Sequence, residues 1–205
     1  MRKGAETRER LLSIAEAAIL AKGFGATSIE ELIAEADITK SGFFYHFKDK
    51  TELARALVHR YLEQDEILLD NLFKRARELN DDPLHAFLVG LKLLAEMMAD
   101  LPEGHPGCLV ATICYQERLF DKDIHDMTQG GVLAWRERFV ALLQEISEIY
   151  PPNDDVDMEE VADFISTIVE GGIIMSKALR EPKKLAAQLM ILRSYIKLLF
   201  SPRLA

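Results

Sequence analysis

Apolar side chains recur along this chain at intervals of three and four residues, the spacing that lines one face of a helix. Leu11, Leu12, Ala15, Ala18 and Ile19 form the first stripe, closed by Lys22-Gly23 with Phe24 as a plug behind it. Ile29, Leu32 and Ile33 form a second, short one, and a third helix is predicted from Lys40 to about Phe47. From Thr51 a stripe through Leu53, Leu57, Val58, Tyr61, Leu62, Leu68, Leu69, Leu72 and Phe73 runs unbroken to Leu79, a helix of roughly 40 Å at 1.5 Å per residue. Pro83 opens a further helix with Phe87, Leu91, Leu94, Met97 and Met98, and the prolines and glycines between Leu101 and Gly107 make a loop. Cys108 to Tyr115 is apolar nearly all round, which predicts a short buried helix. Val132, Trp135, Phe139, Leu142, Leu143 and Ile146 mark one from about Lys122 to Tyr150, stopped by Pro151-Pro152. Asp157 with Glu160 gives a capping signature before Val161, Phe164, Ile165, Ile168, Val169 and Ile173, and Pro182 opens the last helix. The expectation is an all-α chain of about nine helices.

The second and third helices stand close enough to form a helix-turn-helix. Thr27 is expected to cap the second, answered by Glu30 three residues on. The break falls at Ala36-Asp37-Ile38, where Asp37 tolerates a left-handed backbone and Ile38 tucks beneath the turn. Thr39 caps the third helix, which carries Lys40, Ser41, Tyr45 and His46 but no carboxylate. A short, acid-free, donor-rich helix suits a polyanionic duplex. Lys50, near the start of the long helix, is placed to meet a phosphate there.

Composition changes that picture in one respect. The net charge of −9 argues against a nucleic-acid partner until its distribution is read: residues 1–60 hold ten Lys/Arg against nine Asp/Glu, so the excess of acid lies beyond them. An acidic body with a near-neutral head favours one docking orientation on DNA and weak non-specific binding. Arg2, Lys3, Arg8 and Arg10 form a basic arm that is either a solvated helix face or a phosphate or minor-groove contact. No apolar run reaches the ~20 residues that span a bilayer and the start lacks a signal-peptide core, so a cytoplasmic protein with no membrane partner is expected. Cys108 and Cys114, six apart on one predicted helix, do not make a disulfide framework.

Catalytic chemistry is not legible. HExxH, CxxC pairs, a phosphate loop and GxSxG are all missing, and the five histidines are scattered. Asp121, Asp123, His125 and Asp126 read as a solvated helix start rather than a metal site, so neither an enzyme nor a metal or other cofactor is expected. Phe87, Leu91, Met97, Met98, Cys108, Thr112, Tyr115, Trp135 and Phe139 can line an apolar cavity with a few polar handles, or pack a core. In the last two helices, Leu185, Leu189, Leu192, Ile196 and Leu199 make a seam, and Ile165 and Ile168 add apolar surface. Either these complete the monomer core or they build a two-fold dimer through four helices; the dimer is the more economical. Gly171-Gly172 within the penultimate helix costs about 1–2 kcal/mol relative to alanine and points to close helix approach or a ligand.

The run from Ile38 to Leu53, ITKSGFFYHFKDKTEL, resembles the DNA-binding signature of TetR-family (tetracycline-repressor-like) transcriptional regulators, and the helices before it fit. It departs in Asp37 for the usual glycine, in Ser41-Gly42 for glycine and a small residue, and in Phe44 for a phosphate-touching tyrosine, which leaves Tyr45 to supply that hydroxyl. PGCLVAT, from Pro106, is similar to a weaker element of one subset of the family. The resemblance implies a three-helix DNA-binding domain (residues 1–50) and an effector-binding and dimerisation domain (residues 51–205). It implies a homodimer on a pseudo-palindromic double-stranded operator, most often a repressor, released by a small effector that the cavity residues make largely apolar. Thr27, Ser28, Thr39, Lys40, Ser41, Gly42, Phe44, Tyr45, His46 and Lys50 are then expected at the DNA. Phe87, Leu91, Met98, Cys108, Thr112, Tyr115, Trp135 and Phe139 are expected at the effector, and Ile165, Ile168, Leu185, Leu189, Leu192 and Ile196 at the dimer interface. The alternative is a helical ligand-binding or interaction protein whose headpiece is only structural.

Overall fold

The computed structural model describes the backbone from residue 2 to 201 and the side chains from residue 4 to 201; the side chains of Arg2 and Lys3, expected in the basic arm, lie outside the described residues. Among the described residues there are nine α-helices and no strand. They are α1 (Arg2–Lys22), α2 (Ile29–Glu35), α3 (Lys40–His46), α4 (Lys50–Leu79), α5 (Pro83–Ala99), α6 (Leu109–Tyr115), α7 (Lys122–Ile149), α8 (Met158–Leu179) and α9 (Lys184–Phe200), with a 3-10 turn at Glu117–Leu119.

The helix starts follow local chemistry. Asp82 caps α5, accepting from the His85 N–H, with Pro83 in the first turn where its missing N–H costs nothing. Asp157 caps α8 by accepting from Glu159 N–H. At α4 the capping is reciprocal: Asp49 Oδ1 accepts from the Glu52 N–H at 2.8 Å, while Glu52 Oε2 reaches back to the Lys48 N–H at 2.6 Å. Before α2 the cap is Ser28, whose hydroxyl accepts from Glu31 N–H, one residue later than expected. Thr27 is 1% exposed, and its hydroxyl donates to the Gly23 carbonyl at 3.0 Å, so it closes the turn behind α1 instead.

The chain divides into two compact units. The first runs to Gln64 and adds Pro106–Gly131, so the unit that contains the three-helix headpiece is larger than residues 1–50. Its core takes Leu11, Leu12, Leu32, Phe43, Phe47 and Leu57 from the first four helices, with Leu109 and Ile113 of α6 and Ile124 of α7. Each of these large side chains is buried at 3% exposure or less, at about 1.5–3 kcal/mol apiece in transfer free energy.

The second unit comprises Asp65–His105 and the chain from Val132 onward. Here α9 packs against both α5 and α8. A β-carbon on Gly172 would stand 3.1 Å from the Leu185 Cα, so this glycine serves close approach of α8 and α9, the first of the two reasons anticipated for it. Phe73, Phe87 and Phe139 form an aromatic cluster with centroids 5.5–6.5 Å apart. Arg138 bridges Glu66 and Asp70 of α4, and Arg136 grips Asp163 of α8 with its Nε at 2.8 Å, an arrangement that holds the Asp163 carboxyl below its ordinary range.

Candidate nucleic-acid interface

Helix α3 is fixed at its start, in the turn before it and along its inner side. Thr39 Oγ1 accepts from the Gly42 N–H at 3.1 Å and lies 3.0 Å from Ser41 Oγ, so the hydroxyl pair closes the helix start. Asp37, at φ 49°, turns the chain between α2 and α3 in the left-handed region, as its type allows. Phe43 and Phe47 anchor the inner side at 1% exposure or less, and Arg8 lies over the Phe47 ring at 5.1 Å. Arg10 donates to the Ala36 carbonyl at 2.9 Å, so both described arm cations on α1 have partners inside the headpiece.

What α3 leaves outward is Thr39, Lys40, Ser41, Phe44 and Tyr45, all exposed, with Tyr45 at 82%. Phe44 leans edge-on against Phe43, and the half-buried His46 ring lies 5.0 Å from that of Tyr45. No carboxylate stands on the helix itself. On the headpiece surface are exposed the hydroxyl cap of α2 (Ser28), those α3 residues and the Lys48 that follows them, a residue not singled out by its sequence context. It could have been found from Asp49: a cap at that position leaves the preceding lysine outside the helix and free of its packing.

Two expected members of this surface are corrected. Thr27 is buried, as described. Lys50 is turned inward: its ammonium donates to the Phe24 carbonyl at 2.5 Å and sits 4.1 Å from the centroid of the Phe24 ring. Burial also lowers its pKa. The Phe24 ring also packs against Phe120, at 4.6 Å between centroids, and Gln116 accepts from the Gly25 N–H at 3.1 Å. A β-carbon on Gly23, whose φ is 86°, would collide with the Gln116 amide, so glycine there serves both the turn and the docking of that side chain.

The residues expected around an effector fall in different units. Cys108, Thr112 and Tyr115 belong to the first; Phe87, Leu91, Met98, Trp135 and Phe139 belong to the second. Tyr115 is 77% exposed, so the phenol expected as a buried handle lies at the surface. The Thr112 hydroxyl is occupied by the Cys108 carbonyl at 3.0 Å within α6. Cys108 Sγ serves as the α6 cap, and Phe87 and Phe139 pack against Phe73. Among the described residues no group of three or more His, Cys, Asp or Glu is arranged to hold a metal ion.

The expected dimer residues are corrected as well. Ile165, Leu185, Leu189, Leu192 and Ile196 are buried at 1% exposure or less inside the second unit, and Ile168 is half-buried. The seam of fours and threes faces α5 and α8 of the same chain. A second stripe on α9, Ile191, Tyr195 and Leu198, repeats the spacing on the outer side and stays exposed, as do Phe164, Ile174 and Met175 of α8. Phe164 and Tyr195 meet edge-on at 5.4 Å.

An all-α chain with a helix-turn-helix in its first sixty residues and a helical second unit belongs to the helix-turn-helix class of transcriptional regulators. Residues 11–57 match the profile described as bacterial regulatory proteins, tetR family. The chain is 31% identical over 171 residues to the HTH-type transcriptional regulator TtgR of Pseudomonas putida, covering 81% of this chain and 78% of that one. It is 25% identical over 167 residues to the transcriptional regulator AcuR of Cereibacter sphaeroides, covering 80% and 73%. The fold is shared with a TetR-family transcriptional regulator from Agrobacterium tumefaciens, with a TM-score of 0.79 at 17% identity over 97% of this chain and all of that one. This chain is a member of the TetR family of bacterial transcriptional regulators, whose members bind DNA and form dimers.

Proposed function

We propose that the chain is a ligand-released repressor that binds a pseudo-palindromic operator as a homodimer, one α3 helix per major groove. The observation that carries this reading is the outward face of α3, which is free of acid, rich in donors and led by the exposed Lys40 and Tyr45. In this reading residues 1–50 form the DNA-binding domain, with Thr39, Lys40, Ser41, Gly42, Phe44, Tyr45 and His46 at base edges and sugars and Ser28 on a phosphate. Lys48 takes the backbone role first given to Lys50, whose ammonium is engaged with Phe24.

Residues 51–205 carry dimerisation and effector binding. The outer apolar side chains of α8 and α9 support a two-fold, four-helix interface, because apolar residues exposed on two packed helices are the kind of surface that a second copy can bury. The apolar residues of the second unit, Phe87, Leu91, Met98, Trp135 and Phe139, favour a largely apolar effector. Its binding would shift the population away from the conformation whose paired α3 helices fit adjacent half-sites. Among the described residues no helix is long and apolar enough to cross a membrane, which accords with a cytoplasmic site of action on DNA.

Gel-shift assays with genomic fragments at two salt concentrations test the reading. A few fragments should remain retarded when added salt has removed the general, phosphate-driven binding. Absence of any retarded band at low salt would end it.

A further inference from the structure

The two neighbouring carboxylates in the first turn of α2 have different partners. Glu31 turns back into the headpiece, where Lys22 Nζ lies 2.5 Å from its Oε2. Glu30 turns toward α3: its Oε1 lies 3.8 Å from Lys40 Nζ, with the two side chains 73% and 70% exposed. An ion pair that long and that open to water contributes little to the fold. It nevertheless sets an acceptor beside the cation at the start of the helix proposed to enter the groove, where a carboxylate is otherwise unfavourable because it faces phosphates.

We infer that Glu30 and Lys40 act together as a reader of one G·C pair in each half-site. This rests on the DNA-binding reading above. In the major groove a guanine presents two acceptors, O6 and N7, and its paired cytosine presents the N4 amino donor next to them. Lysine has donors only and a carboxylate accepts only, so the two side chains match the two halves of that edge. An A·T pair offers Glu30 an adenine N6 donor, but it meets Lys40 with one acceptor on each base and a methyl group beside them. The carboxylate has a second consequence. By neutralising Lys40 off-site it weakens attraction to arbitrary phosphates, so it lowers non-specific binding while sharpening the specific kind.

Selection of bound sequences from a random duplex pool, carried out in parallel with wild type, Glu30→Ala and Glu30→Gln, tests this. Wild type should enrich half-sites with a G·C pair preferred about tenfold or more over A·T at one position. Glu30→Ala should keep the other positions, relax that one to within about twofold, and bind unrelated duplex a few-fold more tightly. Glu30→Gln, of the same shape, should move the position toward A·T, since an amide pairs with adenine N6 and N7. Identical enriched sequences from all three proteins would overturn the inference alone and leave Glu30 a solvated helix-start acid. Failure of wild type to enrich any sequence would overturn the DNA-binding reading beneath it.

Discussion

Helices α3 and α9 each bury one stripe and leave the other to water, and what they leave out differs in kind. On α3 the inner residues are Phe43 and Phe47 and the outer ones are hydroxyls, a lysine, a tyrosine and a single apolar ring, Phe44. On α9 the inner residues are Leu185, Leu189, Leu192 and Ile196, while the outer stripe is apolar, with Ile191 at 61% exposure and Leu198 at 72%. The inner stripes hold the fold and say nothing about partners. An outer face of donors fits a polyanion, and an outer face of aliphatic side chains fits a second copy of itself. In a helix amphipathic on one side and unusual on the other, function is read from the side that does not pack.

Substitutions in the inner stripes should have the largest effects. Phe43→Ala should cost about 3–5 kcal/mol in chemical denaturation, by leaving a cavity in the headpiece core. Phe44→Ala, one residue away and 44% exposed, should cost less than about 1 kcal/mol while weakening DNA binding. On the outer face of α9, Ile191→Glu combined with Leu198→Glu should raise the dimer dissociation constant at least about 30-fold in sedimentation, the equivalent of a lost ~2 kcal/mol hot spot, with helical content retained. On the outer face of α3, Lys40→Ala should reduce specific affinity about 10- to 100-fold at constant salt.

Two smaller effects sharpen the picture of the scaffold. Arg180 ends α8 at φ 56°, a left-handed cap without glycine, so Arg180→Gly should stabilise the protein by about 0.5–1 kcal/mol, seen as a raised Tm. His105 sits mostly buried beside Lys177, and burial together with that positive charge lowers its pKa below the ordinary value. The folded state thus binds fewer protons than the unfolded one, so this contribution is present above the unfolded-state pKa of about 6.5 and is lost as pH falls below it toward the lowered folded value. His105→Gln should flatten that part of the stability profile, as read from chemical denaturation at a series of pH values.

Much of the fold was legible because helices announce themselves twice, in the period of their apolar residues and in their caps. Thr39 and Asp157 cap where their types predict, and Asp37 takes the left-handed turn. Thr27 and Ser28 were not separable in the sequence, since both are capping types in adjacent positions; only the pull of the Gly23 carbonyl on the Thr27 hydroxyl decides between them. Lys50 was misassigned for a related reason: a lysine at a helix start reads as a phosphate ligand unless one knows that an aromatic ring and a carbonyl from 26 residues earlier lie within its reach. The dimer residues were misassigned because α9 carries two apolar stripes of the same spacing and periodicity cannot say which one faces inward. Tyr115 is the same problem on α6, where an all-round apolar helix gave no sense of its buried side.

If pairing of α8 and α9 fixes the separation of two α3 helices, as proposed above, affinity must depend on the spacing of a selected operator. Inserting five base pairs between the half-sites turns one of them to the opposite face of the duplex, where a rigid pair of helices cannot reach it. Affinity should fall by about a hundredfold or more on that insertion. Undiminished affinity would mean that each headpiece binds alone, and the paired arrangement would be contradicted.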